Sequence, residues 1–209
     1  GAAAPGDSGT YTVVIKNAFG EANSQVVAVA VEALAPPTVT TPPRALTRHA
    51  GGSAVFSVAA EGAPPLAYQW FLKGSELPGE TNSTLLVVDI TAAKAGDYGV
   101  RVSNPAGSAP LASGELIVVE PEPNSYTAAV MGSKPVAFWR LGETASEIAV
   151  DIAGGHDAPY QNPPTLGSPG AIQDDPDTSV TFDGFASRVE VPYSPRLNGA
   201  TFSVEVWAK

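Results

Sequence analysis

Short runs that alternate apolar and polar residues, cut by glycine and proline, make up most of this chain. In residues 95–107, Tyr98, Val100 and Val102 alternate with Gly99, Arg101 and Ser103, and Asn104-Pro105-Ala106-Gly107 closes the run. A period of two that ends in Asn-x-x-Gly predicts a half-buried strand running into a hairpin turn. The same grammar stands near the N-terminus, where Tyr11, Val13 and Ile15 alternate before Asn17-Ala18-Phe19-Gly20. An offset of 87 residues superposes Gly9 on Gly96, Tyr11 on Tyr98, Val13 on Val100, Asn17 on Asn104 and Gly20 on Gly107. A repeat of that length, built from a strand and a tight turn, predicts a tandem of small β domains.

Along the chain the repeat divides the sequence into three units. Residues 1–35 offer two strands, 11–16 and 25–31, where a seven-strand sandwich takes about 100 residues; they read as the tail of a domain. Residues 36–120 read as a complete antiparallel sandwich, with strands at 38–40, 53–59, 66–72, 84–88, 98–103 and 114–119. Phe56, Val58, Tyr68, Trp70, Leu85, Val87 and Ile90 are its candidate core. Glu120-Pro121-Glu122-Pro123 is a short, stiff, polyproline-prone joint. Residues 124–209 open with one or two helical turns at 126–131 and an apolar strand at 135–143. Strands at 179–182, 188–191 and 201–207 follow a Gly/Pro-rich polar region. Both ends of the chain are expected to fall inside domains.

Composition agrees with an all-β chain: 21 glycines and 20 prolines punctuate runs rich in Val and Thr. The formal net charge is −10, with eleven Lys and Arg in no cluster, which excludes binding along a nucleic-acid backbone. The absence of cysteine excludes thiol catalysis, Cys-based zinc sites and disulfides. No run of about 18 apolar residues could span a membrane, and Gly1-Ala2-Ala3-Ala4 does not begin a signal peptide.

Several linked positions in residues 36–120 resemble an immunoglobulin-like domain. Gly62-x-Pro64-x-Leu66-x-x-x-Trp70 is similar to the family's approach to its core tryptophan, and Leu85-x-Val87-x-x-Ile90 followed by Gly96-x-Tyr98 to its tyrosine corner. The family's paired cysteines would fall at Val58 and Val100, and the acidic residue usual at the corner is Lys94 here, although Asp7 keeps it in the first copy. A crosslink closing the 42 residues between the valines would stabilise by about 4 kcal/mol; apolar packing around Trp70 has to offset its absence. Cysteine-free repeats of this kind imply a bacterial, multidomain surface protein.

The C-terminal unit resembles the first half of a laminin G-like, concanavalin A-like lectin/glucanase domain. The matching stretches are Pro135-Val136-Ala137-Phe138-Trp139-Arg140-Leu141-Gly142-Glu143, Asp151-x-x-Gly154, Val180-x-Phe182-Asp183-Gly184, Val189-x-Val191-Pro192, Leu197-Asn198 and Phe202-Ser203-Val204-Glu205-Val206-Trp207. The fold expected is therefore all-β: tandem immunoglobulin-like sandwiches followed by half of a jelly roll. The second resemblance implies carbohydrate or surface-ligand binding, and a calcium ion held by Asp151, Asp174, Asp175, Asp177 and Asp183.

No nucleophile elbow, metalloprotease motif, phosphate loop or dinucleotide fingerprint occurs. His49 and His156 lie in Gly-rich stretches with no activated serine beside them in sequence. Glu190 and Glu205 lack an acidic partner two residues on, so neither forms the same-strand carboxylate pair of a glycosidase. Asn82-Ser83-Thr84 is a glycosylation sequon that chance produces easily. Trp139 and Trp207 fall in alternating apolar runs and read as core. Tyr160 and Tyr193, in Pro-rich stretches, are the candidates for a ligand rim. The reading is a non-catalytic, extracellular or cell-surface chain whose immunoglobulin-like units space out a carbohydrate-binding or adhesive domain. The alternative is an accessory region of a secreted polysaccharide-degrading enzyme.

Overall fold

A computed structural model describes residues 3–172 and 175–206. At the N-terminus a 3-10 turn at Pro5–Asp7 leads into β1 (Gly9–Tyr11), β2 (Val14–Asn17), β3 (Gly20–Asn23) and β4 (Val27–Val29). β1 pairs with β4, and β2 with β3 through the Asn17–Gly20 turn. The predicted strand 11–16 is interrupted, because Val13 gives both its backbone groups to Ser24: its N–H to Oγ at 2.9 Å and its carbonyl to N at 2.8 Å.

Next come β5 (Thr38–Thr41), β6 (Leu46–His49), β7 (Ala54–Ser57), β8 (Ala59–Glu61) and β9 (Ala67–Leu72). They are followed by β10 (Ser75–Glu76), β11 (Thr84–Val87), β12 (Gly96–Asn104), β13 (Gly107–Ser108) and β14 (Ala112–Val119). One sheet runs β10-β9-β12-β14-β6, antiparallel except for its last pair, in which β6 lies parallel to β14. β7 pairs with β11 and β8 with β5, and these strands supply the other side of the core. β6, β10 and β13 have no counterpart in the predicted strand set, and β8 meets the predicted strand 53–59 only at Ala59. They are short, and β6 carries Arg48 at an inward position, which hides its alternation.

Between the layers Trp70, Ile90 and Val100 are fully buried, with Phe56, Leu85 and Tyr98 nearly so. The Phe56 ring stacks on Tyr98 at 4.8 Å and tilts against Trp70 at 6.2 Å. The Trp70 indole N–H donates to the Asn82 carbonyl at 2.8 Å, so the largest core residue buries no unmatched donor. Val58 and Val100 are both interior, which fills the crosslink positions with apolar volume. Each large side chain buried here stabilises by about 1.5–3 kcal/mol.

The 87-residue repeat extends to register. Gly9 faces Val29 and Tyr11 faces Val27, as Gly96 faces Leu116 and Tyr98 faces Gly114; Asn17 faces Gly20 as Asn104 faces Gly107. The 3-10 turn at Ala92–Lys94 repeats that at Pro5–Asp7.

Beyond the Pro-rich joint, α1 (Tyr126–Gly132) is capped by Ser125, whose Oγ accepts from the Ala128 N–H at 3.0 Å. Then come β15 (Ile148–Ala149), β16 (Ala158–Gln161), β17 (Thr165–Pro169), β18 (Thr178–Thr181) and β19 (Arg188–Val189). The first, second and fifth of these pair in the order β15-β16-β19, and β17 pairs with β18. Two expectations are corrected here. The segment 135–143 forms no ladder, only one bridge from Trp139 to Asp151, because the Asp151 side chain takes the Phe138 N–H and Leu141 adopts a positive φ of 55°. Residues 201–206 form no strand, and Phe202, Val204 and Val206 are exposed; Trp207 lies outside the described residues.

Candidate functional site

The predicted site residues do not converge; each is placed by local backbone chemistry. Asp151, fully buried, sits where the chain turns after β15. Its Oδ1 accepts from the N–H groups of Phe138 (2.8 Å), Ala153 (3.0 Å) and Gly154 (2.9 Å), while Oδ2 accepts from the His156 N–H at 2.8 Å and faces His156 Nδ1 at 3.0 Å. Four backbone N–H groups and the His156 ring on one carboxylate make a knot that folds the 151–157 loop. Gly154 is required there, since a Cβ on it would overlap the Val136 carbonyl.

Asp175 and Asp177 grip one guanidinium, Arg140 Nη2 and Nε at 2.8 Å each, and Arg140 Nη1 donates to Thr127 Oγ1 on α1 at 2.6 Å. The Asp177 N–H, and after it the Arg140 guanidinium, hold the Asp175 carboxyl below its usual range. Asp183 caps its own turn, with Oδ1 accepting from the N–H groups of Phe185, Ala186 and Ser187 at 2.9 Å each, and these bonds hold its pKa well below that of a free aspartate. Asp174 lies outside the described residues. The four described members of the expected calcium set do not gather: among the described residues no three His, Cys, Asp or Glu side chains stand in a metal-binding arrangement. Each described aspartate instead satisfies a backbone turn or an arginine, which the sequence pattern alone does not distinguish from calcium ligation.

Tyr160 is corrected as well. It lies in β16 rather than in a loop, only 8% exposed, and its hydroxyl donates to Glu143 Oε2 at 2.7 Å. Burial, and then the bond to Glu143, push its pKa upward. The ring lines a cavity of about 250 Å³ together with Ile148, Pro159, Pro163, Pro164 and Leu166. Tyr193, 79% exposed, stands apart from that cavity. His49 ends β6 and is not in a loop. Glu190 pairs with Arg188 at 3.3 Å on an open surface.

One arrangement escaped the sequence reading. His156 Nε2 lies 3.2 Å from Ser194 Oγ, so Asp151, His156 and Ser194 stand in the order of a proton relay. Nothing local preceding Ser194 signals it, and 38 residues separate the pair. Ser194 Oγ also accepts from the Arg196 N–H at 3.3 Å as the cap of a three-residue 3-10 turn, and neither His156 nor Ser194 borders the cavity beside Tyr160. The arrangement ties the 151–157 loop to the 3-10 turn at Pro195–Leu197.

Compared with known proteins, residues 36–104 match the family model described as "Immunoglobulin domain". The central sandwich is an immunoglobulin-like domain. The chain is 31% identical over 161 residues to the titin of Drosophila melanogaster, covering 70% of this chain and 1% of titin. It is 33% identical over 106 residues to the basement membrane-specific heparan sulfate proteoglycan core protein of Mus musculus, covering 49% of this chain and 3% of that one. It is also 34% identical over 120 residues to endoglucanase C of Cellulomonas fimi, covering 55% of this chain and 11% of the enzyme. The chain thus spans only a small part of the length of each relative.

Proposed function

We propose that this chain is a non-catalytic part of an extracellular or cell-surface multidomain protein of bacterial type. Its immunoglobulin-like units space out a laminin G-like C-terminal unit that binds carbohydrate or another surface ligand. The observation that carries this reading is where the aromatic rings lie. In the immunoglobulin-like domain Phe56, Trp70 and Tyr98 are all committed to the core, so that domain offers little on which a sugar ring could stack. The C-terminal unit has the cavity beside Tyr160, walled by Pro159, Pro163 and Pro164 and edged by Ser146 and Glu147, and the exposed ring of Tyr193; rings that stack on sugars beside polar groups that fix orientation suit such a ligand. A glycan array probed with the whole protein and with its Tyr193→Ala variant tests the proposal. Signal that falls with the variant supports it; signal that persists after Tyr193→Ala, while a substitution on the β9–β12 face abolishes it, assigns binding to the immunoglobulin-like domain instead.

A second reading makes the chain an accessory region of a polysaccharide-degrading enzyme. The similarity to endoglucanase C favours it. Release of reducing ends from β-glucan by the full-length protein distinguishes this reading from the first.

A further inference from the structure

Arg48 is a buried charge at the edge of the sandwich, outside its apolar core cluster. Its side chain is 2% exposed, Nη1 donates to the Thr47 carbonyl at 2.9 Å, and Nη2 donates to Asp157 Oδ2 at 2.8 Å. A guanidinium buried this deeply persists only with an anionic partner, and the partner comes from the C-terminal unit, 109 residues further on. The other carboxylate oxygen of Asp157 accepts from the Asp151 N–H at 3.0 Å, which ties Arg48 directly to the knot that folds the 151–157 loop.

Main-chain bonds make the same connection independently. The Ser53 N–H donates to the Ala153 carbonyl at 2.5 Å and the His49 N–H to the Ile152 carbonyl at 3.4 Å. Glycines make room on both sides of the contact. A Cβ on Gly52 would stand 2.8 Å from the Ala153 carbonyl oxygen, and one on Gly155 would stand 3.3 Å from Val55 in addition to straining a φ of +76°. These contacts fall at one place, the seam between β6, the edge of its sheet, and the start of β7.

We propose that the 151–157 loop is a structural part of the immunoglobulin-like sandwich: it closes the β6–β7 seam and thereby clamps the C-terminal unit to the central domain in one orientation. The stiffness of the pair then resides in this brace as well as in the Glu120–Pro123 joint. The surface that the C-terminal unit presents is held at a fixed angle to the repeats. The inference rests on contacts alone and stands whether or not that unit binds carbohydrate.

Amide hydrogen exchange on the whole chain tests the clamp, because Ser53 N–H has its bond to Ala153 and Trp70 N–H has its own to Glu80 inside the central domain. In the wild-type protein Ser53 and His49 are expected to be protected. Asp157→Ala should lower their protection by about tenfold or more while leaving Trp70 unchanged. Protection at Ser53 that is absent in the wild type, or unaffected by Asp157→Ala, overturns the proposal. Should that variant fail to fold, nitrogen-15 relaxation and amide exchange of the wild type decide together. A common rotational correlation time for residues 36–120 and 124–206 with a protected Ser53 N–H supports the brace, since the proline joint alone would not protect that amide, and two distinct times or an unprotected Ser53 refute it.

Discussion

Tyr98 donates its hydroxyl to the Lys94 carbonyl at 2.9 Å, and 87 residues earlier Tyr11 donates to the Asp7 carbonyl at 2.6 Å, each reaching four residues back. The corner therefore does not depend on the acidic side chain that Lys94 replaces; it is built on a main-chain carbonyl, which any residue supplies. The lysine has found a different use, donating its ammonium to the Val88 carbonyl at 2.6 Å. Burial differs between the copies, since Tyr98 is 2% exposed and Tyr11 51%.

That difference sets the first prediction. Tyr98→Phe removes the bond made by a buried side chain and leaves the half-buried Lys94 carbonyl without that donor, for an expected loss of about 1–2 kcal/mol. Tyr11→Phe changes a solvated group, and its effect should stay within about 0.5 kcal/mol. Urea denaturation of both variants, followed by tryptophan fluorescence, makes the comparison. Equal losses would mean that the corner contributes through local geometry and not through burial.

Trp70→Ala leaves a void beneath Phe56 and strips the Asn82 carbonyl of its donor. A loss of about 3–5 kcal/mol is expected, a large share of the marginal stability of an ordinary domain. With no cysteine in the chain, the loss should be the same with and without reductant. A denaturation midpoint displaced by less than about 1 kcal/mol would remove Trp70 from the centre of the core.

Acid sensitivity should reside at the junction of the two units. Burial, and then the positive charge of Arg140, lower the pKa of His49 from its ordinary value of 6.5. The unfolded chain therefore takes up the proton first, so the His49 contribution is fully present above pH 6.5 and is lost as pH falls through the folded value. Asp175, whose folded pKa lies below the usual 3.8, adds a separate loss in a more acidic window. His49→Gln should flatten the stability profile just below pH 6.5 and leave the more acidic limb of Asp175 in place. An unchanged slope in the first window would show that His49 is solvated in both states.

The central domain was legible in the sequence because its signals are local and periodic. Alternation around Tyr98, Trp70 and Leu85 marks inward positions directly, and the copy at Tyr11 fixes the repeat. The C-terminal unit was less legible because its order comes from side chains that substitute for ladders. Asp151 takes a backbone N–H that a strand at 135–143 would have given to a neighbour, and Arg140 gathers Asp175 and Asp177 into an ion pair that reads as a calcium motif. Tyr160 reads as a loop residue because the prolines around it hide a strand paired on both sides, Pro159 with Ile148 and Tyr160 with Val189. Arg48 and Asp157 carry no sequence signal at all, being partners across 109 residues.

The repeat itself leads to a last prediction. Val27 in the first copy corresponds to Gly114 in the second, so Gly114→Val is the change that a comparison of the two copies recommends. In the central domain, however, β14 passes the chain just before β6, and a Cβ on Gly114 would come 2.5 Å from the Arg44 carbonyl oxygen and 2.8 Å from the Pro43 carbonyl oxygen. Both are backbone atoms, so relief requires moving the segment that leads into β6. The parallel pairing of Leu116 with Leu46 and of Val118 with Arg48 would move with it. Gly114→Val should therefore destabilise by about 1–3 kcal/mol through overpacking, in spite of the higher strand propensity of valine. Gly114→Ala should cost less but in the same direction, since its Cβ already meets the same oxygens. Thermal unfolding of the two variants checks the order. A Gly114→Val protein as stable as the wild type would mean that β6 is free to shift, and that the strand carrying Arg48 is not fixed where the structure places it.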